Sequence, residues 1–366
     1  MGEFGTYSKD DVVFLLKDIS NLINEECNKE REMKIQSGTH YSEMIPIEYN
    51  VSEKYLNLYY EKLKATKEKL AFAVGVMSEK IVKKNGFDVV LVSLARAGIP
   101  IGILAKRYLK EKYNMNLPHY SISIIRDKGI DMNAIDYILK VHPNSKIQFI
   151  DGWTGKGTIC KELDKACEDL KLKYNMEFDS TLAVLADPAG YSGLYGVRDD
   201  FLIPSACLNS TVSGLVSRTV LNKTYIGTDD FHGAKFYRDL LPADVSNEFI
   251  HLISTEFSTI CEEAADISSQ KKHEKIETGF LGMQDVMKIQ AEFAIENTHY
   301  IKPGVGETTR VLLRRVPWKI LMRDPSSPFV KHILMLAEEK GVEVVEYPEL
   351  RYLCCGIIKS VKENKK

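Results

Sequence analysis

The chain has 366 residues, a formal net charge of -2, 44% hydrophobic and 27% charged residues. At about 150 residues per domain this makes two or three folded units, and the composition excludes a disordered, collagenous or coiled-coil protein. The best apolar run, from Phe87 to Leu104, is interrupted by Arg96, Gly98 and Pro100 and falls short of the roughly 20 residues that cross a bilayer. The N-terminus lacks a basic segment followed by an apolar one, so a cytoplasmic protein is expected. Seven cysteines without a C-x-x-C pair suit reduced thiols rather than a disulfide framework or a zinc site.

Residues 1–85 read as a helical extension. A serine cap at Ser8 and an acidic first turn precede Val12, Leu15, Leu16, Ile19 and Leu22 at helical spacing. A longer helix is expected from Ser52 to about Lys84, after a polar and aromatic loop, SGTHYSEMIPIEY. From residue 86 to 270 short apolar runs (DVVLVSL, HYSISII, KIQFID, STLAVLAD) alternate with helical stretches, the pattern of a parallel sheet covered on both faces. The charged stretch 268–277 is the expected linker. Residues 275–366 then form a smaller α/β unit with helices near 282–297, 307–315 and 328–340 and strands at WKILMR and VEVVEY.

Two loops point to chemistry. In KIQFIDGWTGKGTICKELDKAC a strand ends at Asp151 and passes through Gly152, Thr154, Gly155, Lys156, Gly157 and Thr158 into a helix. Glycines there let backbone N–H groups approach a phosphate, and a helix N-terminus adds positive potential. The other reading is a tight turn with no ligand. Upstream, VVLVSLARAGIPIG ends a strand in Ala95, Arg96, Ala97 and Gly98; a buried arginine there needs a carboxylate or an anion, the other reading being a surface arginine at a strand end. Both loops sit at the carboxyl ends of parallel strands, where open α/β sheets bind ligands.

The order of strand-ARAG-helix, HYSISIIRDKGID and IDGWTGKGT resembles the type I phosphoribosyltransferases. More closely, HYSEMIPIEY, SLARAGIPIG, FIDGWTGKGTI and CLNSTVSGLVSRT resemble phosphoribosyltransferase-like proteins found near tellurite-resistance and stress operons, a family also labelled as the cysteine protease StiP N-terminal domain. The resemblance implies a type I phosphoribosyltransferase-like sheet and transfer from phosphoribosyl diphosphate, with Mg2+, to a base- or nucleoside-like acceptor. It makes Asp151, Arg96, Arg126 and Lys128 the catalytic candidates. Ala95, Ala97, Gly98, Gly152, Thr154, Gly155, Lys156, Gly157 and Thr158 become the phosphate and pyrophosphate cradle. The family's loop carries two adjacent acids where this chain has Asp151 and Gly152. That departure favours a non-catalytic sensor of a phosphoribosyl ligand as the second reading.

The glycine-rich stretch after Leu185 offers Asp187, Arg198, Asp199, Asp200, Asn209, Ser213 and Arg218 for an acceptor, with Asp151, Asp199 and Asp200 as the metal candidates. Asp229, Asp230 and His232 lie close together further on. A cysteine protease, the third reading, needs a thiol beside a histidine. Cys207 with His232 is the first pairing to examine. Cys160 is the second choice, because a helix N-terminus lowers a thiol pKa. Peptide hydrolysis is expected to be the least favoured of the three activities.

From Lys302 to Lys331 seven basic residues face two acidic ones, a local charge of about +5. VGETTRVLLRR and SPFVKHILMLAEEKGVEVVEY resemble the pelota and ribosomal-protein class that binds kink-turn RNA. The resemblance implies an α/β/α domain in which Gly306, Glu307, Thr308, Thr309, Arg310, Arg314 and Arg315 read an RNA backbone. Cys354 and Cys355 read as core residues. Homodimerisation stays open at this level.

Overall fold

The computed structural model describes residues 4–48, 52–270 and 281–358. The first unit is built on a six-stranded, wholly parallel sheet: β1 (Val13–Phe14), β2 (Val89–Leu94), β3 (His119–Ile122), β4 (Lys146–Trp153), β5 (Ala183–Ala186) and β6 (Tyr195–Val197). The strand order is β1-β3-β2-β4-β5-β6. β2 is buried throughout, with Val89 and Leu91 on one apolar face and Val90, Val92 and Leu94 on the other. That double burial explains its continuous apolar sequence, since a strand with helices on both faces has no solvent side to leave polar.

Helices α1 (Asn28–Gln36), α2 (Glu53–Asn85), α3 (Gly98–Tyr113), α4 (Met132–Val141), α5 (Thr158–Tyr174), α6 (Ser246–Ser254) and α7 (Phe257–Gln270) complete this unit. α2, α3, α6 and α7 cover one face of the sheet through Tyr59, Tyr108, Phe249 and Phe257, while α4 and α5 cover the other through Ile135, Ile138, Leu163 and Leu170. The second unit holds α8 (Leu281–Glu292), β7 (Ile301–Pro303), α9 (Val305–Arg314), β8 (Pro317–Met322), α10 (Lys331–Glu339), β9 (Glu343–Glu346) and β10 (Cys354–Ile358). Its sheet runs β7-β10-β8-β9, parallel only between β8 and β9. The chain is thus a mixed α/β protein with a parallel sheet and a distinct C-terminal unit. Among the described residues no helix is long and apolar enough to cross a membrane.

The two units share one apolar core. Val305, Leu312, Ile320, Met322 and Leu353 of the second belong to the same buried cluster as Tyr59, Leu63, Phe201, Ile203 and Cys207 of the first. Lys69 of α2 lies over the rings of both Phe201 and Phe329, 4.7 Å from each centroid.

The helix expected from Ser8 does not form. Val13 pairs with Tyr120 at the edge of the main sheet, and Lys17 pairs with Gly233 in a separate two-stranded ladder. Asp11 leaves the expected acidic first turn to grip Arg107 at 2.7 and 2.8 Å. Strand pairing thus overrides helical spacing, and the N-terminal segment is helical only from Asn28. Most of the expected linker, 271–277, lies outside the described residues. β7 and β10 are strands that the apolar spacing did not single out; Cys354 and Cys355 are buried in β10, as read.

Candidate functional site

A cleft of about 1450 Å3 opens where the second unit faces the carboxyl ends of β4 and its neighbours. Its floor is the turn from Asp151 to Cys160. Its walls come from the loop after α1, the turn around Arg126, and the β7–α9 segment of the second unit. The two loops singled out in the sequence do converge here, although Arg96 itself does not line the cleft. Arg96 Nη1 instead donates to the Val216 carbonyl at 3.4 Å and lies 3.7 Å from Glu48.

The glycine turn is held from both sides. Asp187, fully buried, accepts from Thr154 Oγ1, from Tyr191 N at 3.0 Å and from Ser192 N at 2.7 Å, and pairs with Arg198. From the second unit, Tyr352 donates to the Gly155 carbonyl at 2.9 Å, and Lys156 Nζ donates to the Thr298 carbonyl at 2.7 Å. Gly157 is left-handed, with φ +76°, and a Cβ there would meet the Tyr191 ring at 2.4 Å. Gly98 serves packing as well: a Cβ would sit 2.3 Å from the Ile150 carbonyl oxygen. Arg126 and Asp127 form a tight turn whose N–H groups at Asp127 and Gly129 are held by Glu162 at 2.9 and 3.0 Å. Lys128, on the same turn, is exposed and does not line the cleft.

Cationic groups dominate the walls. The first unit supplies Arg31, Arg126, Lys156 and Arg218; the second supplies Lys302, Arg310 and Arg315. Among the described residues only Asp127, Asp151 and Glu307 oppose them, so the lining carries a formal charge of about +4 (seven minus three). Tyr41 lies close to two guanidinium groups, its ring centroid 5.1 Å from Arg126 and 4.6 Å from Arg218, and Arg310 lies 5.3 Å from the Trp153 ring. Burial and the neighbouring cations push Lys156 down to about 8, its causes after burial being Lys302 and Arg126. Arg218 is likewise lowered to about 10 by burial and then by Arg31. Burial pushes Glu307 up, but Arg310 and Lys302 outweigh it and hold the carboxyl below its usual range.

Asp151 behaves differently. Its carboxyl is pushed up to about 7, by burial first, against the Gly152 N–H at 2.7 Å and Arg310, which both pull it down. In the folded chain it therefore keeps its proton between pH 4 and 7, where the unfolded chain has already lost it. Stability falls as pH rises through that window. Asp151→Asn removes this titration and is expected to stabilise the fold by about 1–3 kcal/mol at pH 8, after allowance for its partial contact with water, and by little at pH 4.5. Urea unfolding at the two pH values checks this; an equal difference at both would show that Asp151 titrates normally.

The expected metal residues do not assemble. Asp199 is exposed and pairs with Lys69 at 2.6 Å. Asp200 joins the two units, accepting from Val305 N at the start of α9 and from Leu353 N, both at 2.8 Å. Among the described residues no group of three or more His, Cys, Asp or Glu side chains could hold a metal ion. Asp230 is committed to Lys17 at 2.6 Å and His232 to Ser123 Oγ at 2.9 Å, while Asp229 is exposed. Ser213 donates to the Asn209 carbonyl at 2.8 Å, away from the cleft. Of the acceptor candidates only Arg218 lines it, and of the metal candidates only Asp151.

The thiol pairing first in line fails on geometry. Cys207 is 1% exposed in the core shared by the two units, and His232 sits elsewhere, beside Ser123 and Asp131. Cys160, in the first turn of α5, is the cysteine that lines the cleft. Its thiol is not lowered as a helix N-terminus alone would do: burial, then Asp187 and Asp151, push it up to about 12. His40 and His299 line the same cleft. Both are held below the usual imidazole range by burial and then by cations, Lys128 for His40 and Arg126 for His299, so both are neutral at pH 7.

In the second unit Gly306, Glu307, Arg310 and Arg315 reach a cleft or its rim. Thr308 and Thr309 do not: both are fully buried, Thr309 donating to Val305 O at 2.7 Å and meeting His332 Nε2 at 2.9 Å. The Arg314 side chain lies outside the described residues. Arg31, His40, Tyr41 and His299 line the site without having been singled out, while Lys302 had been counted only as the start of the basic stretch. The HYSEMIPIEY segment, quoted for its resemblance, contains two of them.

Residues 5–254 match the family described as tellurite-like stress resistance cysteine protease StiP, and residues 280–360 match the PELOTA RNA binding domain. The "Cysteine protease StiP" of Acinetobacter baylyi is 34% identical over 335 residues, which cover 88% of this chain and 85% of that protein. The chain belongs to the StiP family. That membership overturns the expected phosphoribosyl transfer, with its phosphoribosyl diphosphate and Mg2+, because the family and its curated member are named for a cysteine protease. It also overturns the ranking that put peptide hydrolysis last. The site agrees with the correction: Asp151 has no second acid beside it and is held largely protonated below pH 7, a poor partner for a cationic sugar.

Proposed function

We propose that the chain hydrolyses peptide bonds through Cys160 and binds RNA through its C-terminal domain. The observation that carries the first half is that the cleft holds, among the described residues, one cysteine, Cys160, together with two neutral imidazoles, His40 and His299. A thiol pushed up to about 12 rests protonated, so attack on a peptide carbonyl requires a base to take its proton. A neutral imidazole is such a base, and the imidazolium then returns the proton to the departing amine. Sulfur bonds to the carbonyl carbon as the C–N bond breaks, leaving a thioester that water cleaves. The first N–H groups of α5 have no acceptor within the helix, and they stand beside the carbonyl oxygen that gains charge.

The second half rests on the pelota-type match and on Arg310 and Arg315, which reach the cleft from α9 and its end. Incubating the full chain with quenched fluorescent peptides, with and without thiol alkylation, tests the peptidase. Cleavage abolished by alkylation supports it, and cleavage that survives alkylation removes the thiol from the chemistry.

A further inference from the structure

We infer that an RNA backbone lies in the cleft across both units, so that the StiP-type unit itself holds phosphates alongside the pelota-type domain. This deepens the RNA half of the proposed function, rests on that half, and asks nothing of Cys160. At about 1450 Å3 the cleft exceeds the roughly 300–1,000 Å3 of a small-molecule pocket and suits a segment of a polymer. Arg126, Lys156 and Arg218 face it from one side and Lys302, Arg310 and Arg315 from the other. The opposing carboxylates are largely spoken for, since Glu307 pairs with Arg310 at 3.2 Å and Asp127 with Arg126 at 3.3 Å.

Two further observations favour a nucleic acid. Burial lowers both Lys156 and Lys302 first; beyond it, Lys302 and Arg126 lower Lys156 further, and Arg315, Arg126 and Arg310 lower Lys302 against the opposing pull of Glu307, so cations from the two units lie close enough to act on one another. Such crowding is unfavourable in the empty cleft and is relieved by a row of phosphates, not by a single anion. The cleft also presents aromatic planes beside its guanidinium groups, Tyr41 with Arg126 and Arg218, and Trp153 with Arg310. Unpaired RNA bases stack on such planes while the backbone meets the cations. An acidic peptide would meet the charges and leave the planes idle.

The test is fluorescence anisotropy of a fluorescein-labelled RNA hairpin with an asymmetric bulge, titrated with full-length protein over a salt series. Arg310→Gln, Lys156→Gln and Arg126→Gln are each expected to weaken binding about tenfold and to lower the salt slope by ~0.7 for each phosphate that is no longer neutralised. Lys319→Gln, paired with Glu343 outside the cleft, should bind as wild type. Lys156 bonds to Thr298 and Arg126 lies 3.4 Å from His299 Nδ1, both across the units, so thermal melts verify the fold of each variant before its affinity is read. A drop in affinity for Arg310→Gln alone, with both first-unit variants binding as wild type, overturns the bridging and leaves RNA on the pelota-type domain. Failure of the wild type to bind overturns the RNA half of the function as well. Displacement of the hairpin by polyglutamate at matched charge overturns the choice of RNA in favour of an acidic chain.

Discussion

Cys160→Ala is expected to lower peptide hydrolysis by about 10^4-fold or more, the usual consequence of removing a nucleophile that acts as a unit with its base, while RNA affinity stays unchanged. The thiol lines the cleft from the first turn of α5, and no other cysteine among the described residues does. Because both the thiol and the imidazoles rest neutral, the rate should follow the base. His40 and His299 are depressed below 6.5, so the fraction able to accept a proton is nearly complete at pH 7 and is lost as pH falls through their lowered values. The thiol, pushed up to about 12, stays protonated across this range, so the rate should rise with the base and then hold level to pH 10. Replacing the histidine that serves as base should cost about 10^2–10^4 in kcat. Initial rates on a quenched peptide between pH 5 and 10 measure all of this. A Cys160→Ala protein with the wild-type rate would end the assignment.

The second large effect is on the fold. Gly98→Ala should destabilise the protein by about 3 kcal/mol or more, at the upper end of overpacking, because the added methyl would sit 2.3 Å from the Ile150 carbonyl and 3.1 Å from Asp151 Cα. Both are main-chain atoms of β4, so no side chain can swing aside and α3 must lift off the sheet. Gly155→Ala is the matched comparison. Nothing lies within 4 Å of a Cβ there and its φ is not positive, so its stability should stay within about 0.5 kcal/mol of wild type. Urea midpoints separate the two; equal midpoints would mean that α3 approaches β4 less closely than described.

These two glycines show how far the sequence could be read. Both stand in loops that end parallel strands, and the loops were located correctly because continuous apolar runs mark β2, β4 and β5 without reference to the rest of the chain. Which glycine faces a ligand and which faces a carbonyl depends on where α3 lands, and no local pattern encodes that. The start of the chain misled for the same reason: Val12, Leu15, Leu16 and Ile19 have helical spacing, but Tyr120 and Gly233 offer ladder partners to Val13 and Lys17. Thr308 and Thr309 look like ligand-facing hydroxyls in a motif and prove to be interior groups. The cleft as a whole was least legible, since Arg31, His40, His299 and Lys302 come from segments far apart in the chain and meet only when the second unit docks. The reading of the chemistry failed at a different level. A glycine-rich strand-to-helix turn is compatible with several reactions, and it was the resemblance to phosphoribosyltransferases, not the spacing, that named the wrong one.

The shared core has a consequence for synthesis. When residue 270 leaves the ribosome, Phe201, Ile203 and Cys207 still lack the covering that Val305, Leu312 and Leu353 provide. At about 5–20 residues per second, the apolar face waits several seconds for the remaining residues to emerge. During that interval the nascent first unit is the species exposed to aggregation and to chaperones. The pelota-type unit is thus also the lid that completes folding of its predecessor, and neither unit can be exchanged for a relative's without recutting the face between them.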